Sequence, residues 1–183
     1  NPVIPSPRQR PAVTPAAAAL DKAAQMILEA KRPLILSGEM VAIQDASAAL
    51  VALAEATGAP VMSTYRRQDT FPNDHPAYAG HLEINRLHYQ KQALDEADLL
   101  IAMGSRMDGI TAEDGALPRA DQTFLQIYPD ADVLARCQAD LPMLSDPAAA
   151  CLALAQRIAT AKDPARCQDL HRAYLASSEP GVV

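Results

Sequence analysis

Four short groups of residues contain glycines, hydroxyl-bearing residues or an arginine, which are residue types that suit an anionic ligand. They are Ser37-Gly38, Ser63-Thr64-Tyr65, Gly104-Ser105-Arg106 and Tyr128-Pro129, and each follows a mainly apolar run. Backbone N–H groups beside a glycine can bind a pyrophosphate, and an arginine can pair with its negative charge. These residue types favour binding of a phosphate-bearing ligand and do not by themselves indicate a reaction.

The residues around Gly104 indicate how such a site would be positioned. Leu99–Met103 is an unbroken apolar run, which is typical of a strand buried on both faces inside a parallel sheet. A glycine directly after the strand lets the backbone turn sharply or approach a ligand closely. Because open α/β sheets bind ligands at the carboxyl ends of their strands, Ser105 and Arg106 lie where a site is expected.

Similar apolar runs alternate with amphipathic segments along most of the chain. Strands are predicted at Leu34–Leu36, Ala59–Ser63, Leu99–Met103, Thr123–Tyr128 and, at a sheet edge, Leu141–Leu144. Helices are predicted over about 15–30, from an Asp45 cap to Gly58, over about 84–96, and from a Ser145-Asp146-Pro147 cap to about 161. This alternation predicts a doubly wound, three-layer αβα domain (Rossmann-like) with a mainly parallel sheet.

Residues 64–82 form the longest predicted loop, and loops of this length in compact domains are often functional. Gly80 and His81 lie at its end and would join the strand ends at the same edge of the sheet. His75 lies in Asn-Asp-His-Pro, a sequence that favours a structural turn. His81 is either a binding residue or a structural one, since no base or metal partner is near it in the sequence.

The arginines also leave alternatives open. Arg106 could bind a phosphate, or it could pair with a nearby carboxylate such as Asp108. Arg66 and Arg67 could contact an anionic group or another subunit, or they could lie in a solvated loop.

Composition narrows the class of protein. The net charge is −6 and the chain has no long basic run, so we expect neither nucleic acid nor an anionic membrane as partner. No apolar run approaches the length of a membrane span, and no signal peptide is visible. The three cysteines have no CxxC or zinc-type spacing, which predicts reduced thiols in a cytoplasmic protein. The start at Asn1 without Met suggests processing or excision from a longer chain.

Four ordered segments resemble the central domain of thiamine-diphosphate-dependent enzymes of the acetolactate synthase group. They are Ala30–Gly38, Leu53–Val61, Phe71–His81 and Glu96–Arg106, and the resemblance covers about 15–137. Residues 1–14 carry four prolines and no periodicity, which predicts a proline-rich linker. The resemblance then implies a central α/β domain over 15–161, followed by a C-terminal helix or linker over 162–183.

The resemblance also implies that the flanking domains and the middle domain bind different cofactors. In that family the two flanking domains bind thiamine diphosphate and Mg²⁺ at a subunit interface, so the full-length enzyme is expected to be a homo-oligomer. The middle domain has six strands and binds FAD in acetolactate synthases, ADP in some relatives and nothing in others. No Gly-Asp-Gly metal motif occurs in this chain, in keeping with a middle domain.

The resemblance assigns the strand-end residues to nucleotide contacts. The positions that match the family's FAD contacts are Ser37, Gly38, Ser63, Thr64, Tyr65, Gly80, His81, Gly104, Ser105, Arg106 and Tyr128. Two residues depart from the pattern of the FAD-binding family members. Glu39 follows Gly38 where FAD-binding members have a glycine cluster, and Tyr128 replaces the acidic residue suited to a ribose hydroxyl. No GxGxxG motif occurs.

Three functions follow, in order of preference. The first is the non-catalytic central domain of a 2-oxo-acid carboligase or decarboxylase, a transferase or lyase whose flanking domains it organises and whose catalytic residues all lie outside this chain. The second is an FAD- or ADP-binding module with a structural nucleotide. The third is a free-standing NAD-type dehydrogenase, which would need a glycine fingerprint and a catalytic acid that the sequence lacks.

Overall fold

A computed structural model of the chain describes residues 11–158 and 164–178. Its strands form a six-stranded parallel sheet in the order β3-β2-β1-β4-β5-β6. The strands are β1 Pro33–Ser37, β2 Val61–Ser63, β3 Tyr78–His81, β4 Leu99–Met103, β5 Thr123–Tyr128 and β6 Leu141–Leu144. The helices are α1 Ala17–Glu29, α2 Glu39–Ile43, α3 Ser47–Thr57, α4 His88–Glu96, α5 Ala131–Leu134, α6 Pro147–Arg157 and α7 Ala165–Ser178.

The strand order reverses between β1 and β4. The chain runs outward from β1 through β2 to β3, returns to the other side of β1 as β4, and continues outward to β6. The predicted doubly wound fold is therefore confirmed, and its topological switch point lies between the carboxyl ends of β1 and β4.

Each face of the sheet has its own core. On one face, α1, α3 and α6 pack on the strands through residues such as Ile27, Leu53 and Leu154. On the other face, α4 packs through Ala93 and Leu94, and the irregular β4–β5 connection contributes Leu117. β1 and β4 are buried along their whole length between these layers, which explains their unalternated apolar runs.

Helix α7 covers the edge strand β3. The His171 ring Nδ1 lies 2.8 Å from the Tyr78 carbonyl oxygen, and the Tyr174 ring packs edge-on against Tyr78 with centroids 5.0 Å apart. The Cys167 thiol donates to the Gly58 carbonyl at 3.2 Å. An uncovered edge strand invites pairing with another chain, so this segment protects the sheet.

Several local predictions needed correction. The predicted loop over 64–82 contains the short 3-10 helix Gln68–Thr70 and strand β3, whose four residues carry too little periodicity to be recognised. Asp45 does not cap a helix: its φ is 51°, and it lies between two separate helices, α2 and α3. The edge position of β6 is confirmed.

Some predictions lie outside the described residues. These are most of the proposed 1–14 linker and the boundary between the predicted 15–161 and 162–183 segments, which both remain predictions. No helix in the described ranges is long and apolar enough to cross a membrane.

Candidate functional site

Backbone groups at the switch point are bonded to one another. The Gly38 N–H donates to the Met103 carbonyl at 2.9 Å, and the Met40 N–H donates to the Gly104 carbonyl at 3.0 Å. The Gly104 N–H donates to the Ile127 carbonyl of the next strand at 2.9 Å. These three amides of the strand ends are thus already paired within the chain.

The glycines at this point serve close packing of two chain segments. A Cβ on Gly38 would lie 2.4 Å from the Ser105 Cα and 2.6 Å from the Gly104 carbonyl oxygen, so only glycine fits. Gly104 has a φ of 65°, and a Cβ there would meet the Met40 Cβ at 3.0 Å. The space beside the β1 and β4 ends is occupied by the start of α2.

Glu39, Arg106 and Tyr128 form a cluster, here called the Glu39 cluster. The Arg106 Nε lies 2.8 Å from Glu39 Oε1, and the Tyr128 hydroxyl donates to the same oxygen at 2.9 Å. The Glu39 side chain is 20% exposed, whereas that of Arg106 is 62% exposed. The predicted alternative partner of Arg106 is not used, because Asp108 instead accepts the Thr111 N–H at 2.8 Å.

The environment of Tyr128 in the Glu39 cluster favours the neutral form of its phenol. Burial, followed by the hydrogen bond to Glu39, raises the pKa of Tyr128 to about 12. The shift favours the protonated phenol, which donates its hydrogen bond to Glu39. With its carboxylate held by both partners, Glu39 presents negative charge where a phosphate would have to bind, so these residues do not fit a dinucleotide bound through its phosphates.

Three hydroxyls meet beneath the ends of β1 and β2. The Thr70 Oγ1 lies 2.6 Å from the Ser37 Oγ and 3.0 Å from the Ser63 Oγ, and it donates to the Arg67 carbonyl at 2.9 Å. All three hydroxyl-bearing residues are fully buried. Ser37 and Ser63 therefore connect the two strands to the 3-10 helix. Thr64 is also buried, and its N–H donates to the Ser37 carbonyl.

Tyr65 and His81 lie apart from the switch point, beside a cleft of about 390 Å³. The Arg66 guanidinium stacks on the Tyr65 ring, 5.0 Å from its centroid. The His81 Nε2 lies 3.0 Å from a carboxylate oxygen of Glu83, so the expectation that His81 has no partner near it in the sequence is wrong. This outer cleft is lined by Tyr65, Arg66, Gln68, His81, Glu83, Ile84 and Asn85.

Gly80, although next to His81, lies beneath helices. Its φ is 88°, and a Cβ there would meet the Tyr89 hydroxyl at 2.5 Å and the Tyr174 ring at 3.0 Å. The structure therefore separates the eleven predicted contact residues into a switch-point group, a buried hydroxyl group, the outer cleft and this packed glycine.

Sequence reasoning missed Arg86, whose side chain shapes the β4–β5 connection. Its Nη2 donates to the Ile110 carbonyl at 2.9 Å and the Thr111 carbonyl at 2.7 Å, and its Nη1 lies 2.8 Å from Glu113 Oε1. Burial lowers the pKa of Arg86, and the Glu113 carboxylate opposes that shift. No local pattern distinguishes such an arginine from a solvated one.

Gln126 was also missed, although a signal was present. It is a polar residue inside the apolar run of β5, it is fully buried, and its Nε2 donates to the Ser105 carbonyl at 3.1 Å. It thereby positions the turn after β4. Among the described residues, no group of three or more His, Cys, Asp or Glu side chains is arranged to hold a metal ion.

The topology and the strand-end geometry define a class: a doubly wound α/β domain whose switch point is filled by its own side chains. A family model described as "Thiamine pyrophosphate enzyme, central domain" matches residues 20–165. The chain belongs to this family, which confirms the resemblance found in the sequence.

Curated relatives agree with this family. The chain is 36% identical over 147 residues to the acetolactate synthase large subunit of Corynebacterium glutamicum, covering 79% of this chain and 23% of that one. It is 39% identical over 98 residues to a sulfoacetaldehyde acetyltransferase of Rhodobacter capsulatus, covering 54% and 17%. The chain thus spans about a fifth of the length of these relatives.

A solved structure is similar in fold. A putative thiamin diphosphate-dependent enzyme from Mycobacterium smegmatis superposes with a TM-score of 0.72 at 28% identity, covering 86% of this chain and 31% of that one. Like the curated relatives, it is much longer than this chain, which matches about a third of its length.

Proposed function

We propose that this chain is the non-catalytic central domain of a thiamine-diphosphate-dependent 2-oxo-acid carboligase or decarboxylase, and that it organises the flanking domains. The Glu39 cluster carries the proposal, because the polar strand-end groups of the switch point bind one another instead of facing a ligand. The similarity to an acetolactate synthase and an acetyltransferase favours carboligation or acyl transfer over simple decarboxylation.

The cofactors of the whole enzyme would lie outside this domain. Thiamine diphosphate supplies an electron sink for the carbanion chemistry of 2-oxo acids, and Mg²⁺ would accompany its diphosphate in the flanking domains. The part assigned to this chain is mechanical: a rigid sheet, closed at its switch point, from which the two flanking domains extend. We also propose that the full-length enzyme is a cytoplasmic homo-oligomer.

A turnover assay tests the main proposal. Full-length enzyme supplied with pyruvate, thiamine diphosphate and Mg²⁺ is expected to consume the 2-oxo acid, and omission of the thiamine cofactor is expected to stop it. A panel of other 2-oxo acids covers differences in substrate. Absence of cofactor-dependent turnover across the panel would contradict the proposal.

The nucleotide-binding alternative has a separate test. A ligand that binds only the folded state raises the melting temperature, so added FAD or ADP should leave that of the full-length enzyme unchanged. The purified enzyme should show no flavin absorbance. An E39G variant, which removes the carboxylate from Arg106, is the matched comparison. A clear rise in the melting temperature of the unsubstituted enzyme on addition of FAD or ADP would favour a structural nucleotide instead.

A further inference from the structure

Asp146 stands at the N-cap of α6, yet its side chain makes no capping bond to that helix. Asp146 Oδ2 instead accepts the Val13 N–H at 2.8 Å, and the Asp146 N–H donates back to the Val13 carbonyl at 2.8 Å. Asp146 Oδ1 accepts an N–H from the Gln44 amide at 2.7 Å. We call Asp146, Val13 and Gln44 the Asp146 bridge.

The Asp146 bridge joins three parts of the molecule that are far apart in sequence. Val13 belongs to the predicted 1–14 linker, Gln44 follows α2, and Asp146 lies between β6 and α6. Ser145 adds a longer hydrogen bond from its hydroxyl to the Val13 carbonyl at 3.4 Å. The carboxylate thus holds the end of the linker against the carboxyl edge of the sheet, just before α1 begins.

We propose that Asp146 is a positioning residue that fixes how the preceding flanking domain joins the central domain. This rests on the proposed function, since it assumes that the linker connects two domains of one thiamine-diphosphate enzyme. Tethering one end of a linker shortens the chain that moves freely, and this raises the effective concentration of the attached domain at its working position. Asp146 acts through the linker and contacts no reacting group.

The bridge offers well-matched variants. D146A removes the side-chain bonds to Val13 and Gln44, whereas Q44A removes only the bond from Gln44 and leaves the Val13 pair intact. D146N is the conservative variant, because its amide oxygen can still accept the Val13 N–H. Its new N–H₂ group would then need an acceptor, and the buried Gln44 Oε1, which has no partner within the described part of the chain, can supply one after rotation of the Gln44 amide.

Hydrogen exchange in the full-length enzyme reports on the bridge directly. Loss of a hydrogen bond to a charged acceptor should speed exchange of the Val13 amide by roughly tenfold in D146A. D146N and Q44A should stay close to the unsubstituted enzyme. An unchanged exchange rate in D146A would overturn the bridge itself.

The dependence of turnover on thiamine diphosphate separates positioning from simple stabilisation. In D146A, the KM for thiamine diphosphate should rise on the order of tenfold, with a smaller change in kcat once the cofactor saturates, because the flanking domains are held less well in place. D146N should restore the original KM. A D146A enzyme that exchanges Val13 faster or melts earlier, but keeps its KM, would contradict the positioning role.

The two proposals fail in different ways. If the unsubstituted enzyme shows no turnover that depends on thiamine diphosphate, the proposed function fails, and the positioning role that rests on it fails too, although exchange of Val13 still reports on the bridge. If it turns over and D146A behaves identically in both measurements, the proposed function stands and the positioning role is wrong.

Discussion

The centre and the outer part of the sheet's carboxyl edge both carry polar residues at the ends of strands, but the centre is closely packed whereas the outer part borders a cleft. At the centre, the ends of β1, β4 and β5 meet through Gly38 and the Glu39 cluster, and they leave no gap between the first two strands. At the outer part, Tyr65 and His81 border a cleft of about 390 Å³. Position at a strand end therefore determines where polar residues gather, and not whether a ligand finds space there.

The difference comes from the chain that follows each strand. β1 continues directly into α2, so Glu39 returns over the strand end and reaches Arg106 and Tyr128. β2 and β3 continue into irregular segments that splay apart around the outer cleft. The four predictions below test whether backbone packing closes the centre, and whether helices and the buried Arg86 support the chain away from the centre.

The largest effect is expected from G38A. The added Cβ would overlap backbone atoms of Gly104 and Ser105, which cannot move aside without displacing β4. We expect the free energy of unfolding to fall by about 3 kcal/mol, measured by denaturant titration. G109A is the control, because its Cβ would meet mainly the flexible Asp114 carboxylate. Equal costs for both variants would contradict a closed centre.

A smaller effect is expected from R86A, since Arg86 follows β3 and holds the connection after β4. Its removal takes away the donor to the Thr111 carbonyl, the shorter of the two bonds to the Ile110 carbonyl and the partner of Glu113, at a cost of about 2 kcal/mol. Hydrogen exchange over 108–116 should speed up more than exchange in β1. R86K should be intermediate, because an ammonium group cannot reproduce the fork of the guanidinium. A uniform change in exchange would show that Arg86 does not act on this connection.

G80A tests the packing beneath the outer cleft. The substitution adds backbone strain at a φ of 88° and a clash with the Tyr89 hydroxyl. We expect a loss of about 1.5 kcal/mol, measured as a lower melting temperature. In the G80A background, Y89F should recover part of this loss, whereas Y89F alone should be mildly destabilising because it removes the bond to the Ala79 carbonyl. No recovery would mean that strain alone decides the cost.

The smallest effect is expected from Y128F, which loses only the bond to Glu39, worth about 1 kcal/mol at neutral pH. The effect also depends on pH. Folding raises the pKa of Tyr128 from an unfolded value near 10 to about 12, so the neutral phenol is favoured in the folded state. This stabilisation is complete below pH 10 and disappears as the pH rises through about 12.

Denaturant titrations at a pH below 10 and at a pH of about 12 measure this pH dependence. Both proteins should lose stability at high pH, because burial also raises the pKa of Tyr78 to about 12. The free energy of unfolding should fall less steeply with rising pH in Y128F, since one fewer phenol titrates. Identical slopes would exclude the assigned environment of Tyr128.

Local sequence was sufficient for some of these features. The apolar run Leu99–Met103 predicted β4 and the place of Arg106, because burial on both faces leaves a continuous pattern. Strand β3 escaped detection because its four residues include a glycine and follow a polar segment. Arg106 does pair with a carboxylate, but with that of Glu39 and not of Asp108, because a sequence displays near neighbours and conceals contacts made by distant segments.

The sequence by itself determined the parallel sheet, the order of most elements and the family, since these depend on hydrophobic periodicity and on short local motifs. Only the tertiary structure decided what the strand ends do. It placed Glu39 between Arg106 and Tyr128, turned the Ser37 and Ser63 hydroxyls inward, and directed Asp146 to the linker instead of its own helix. Each of these contacts joins segments that meet only after the sheet has formed, and their energies depend on burial that no local pattern encodes.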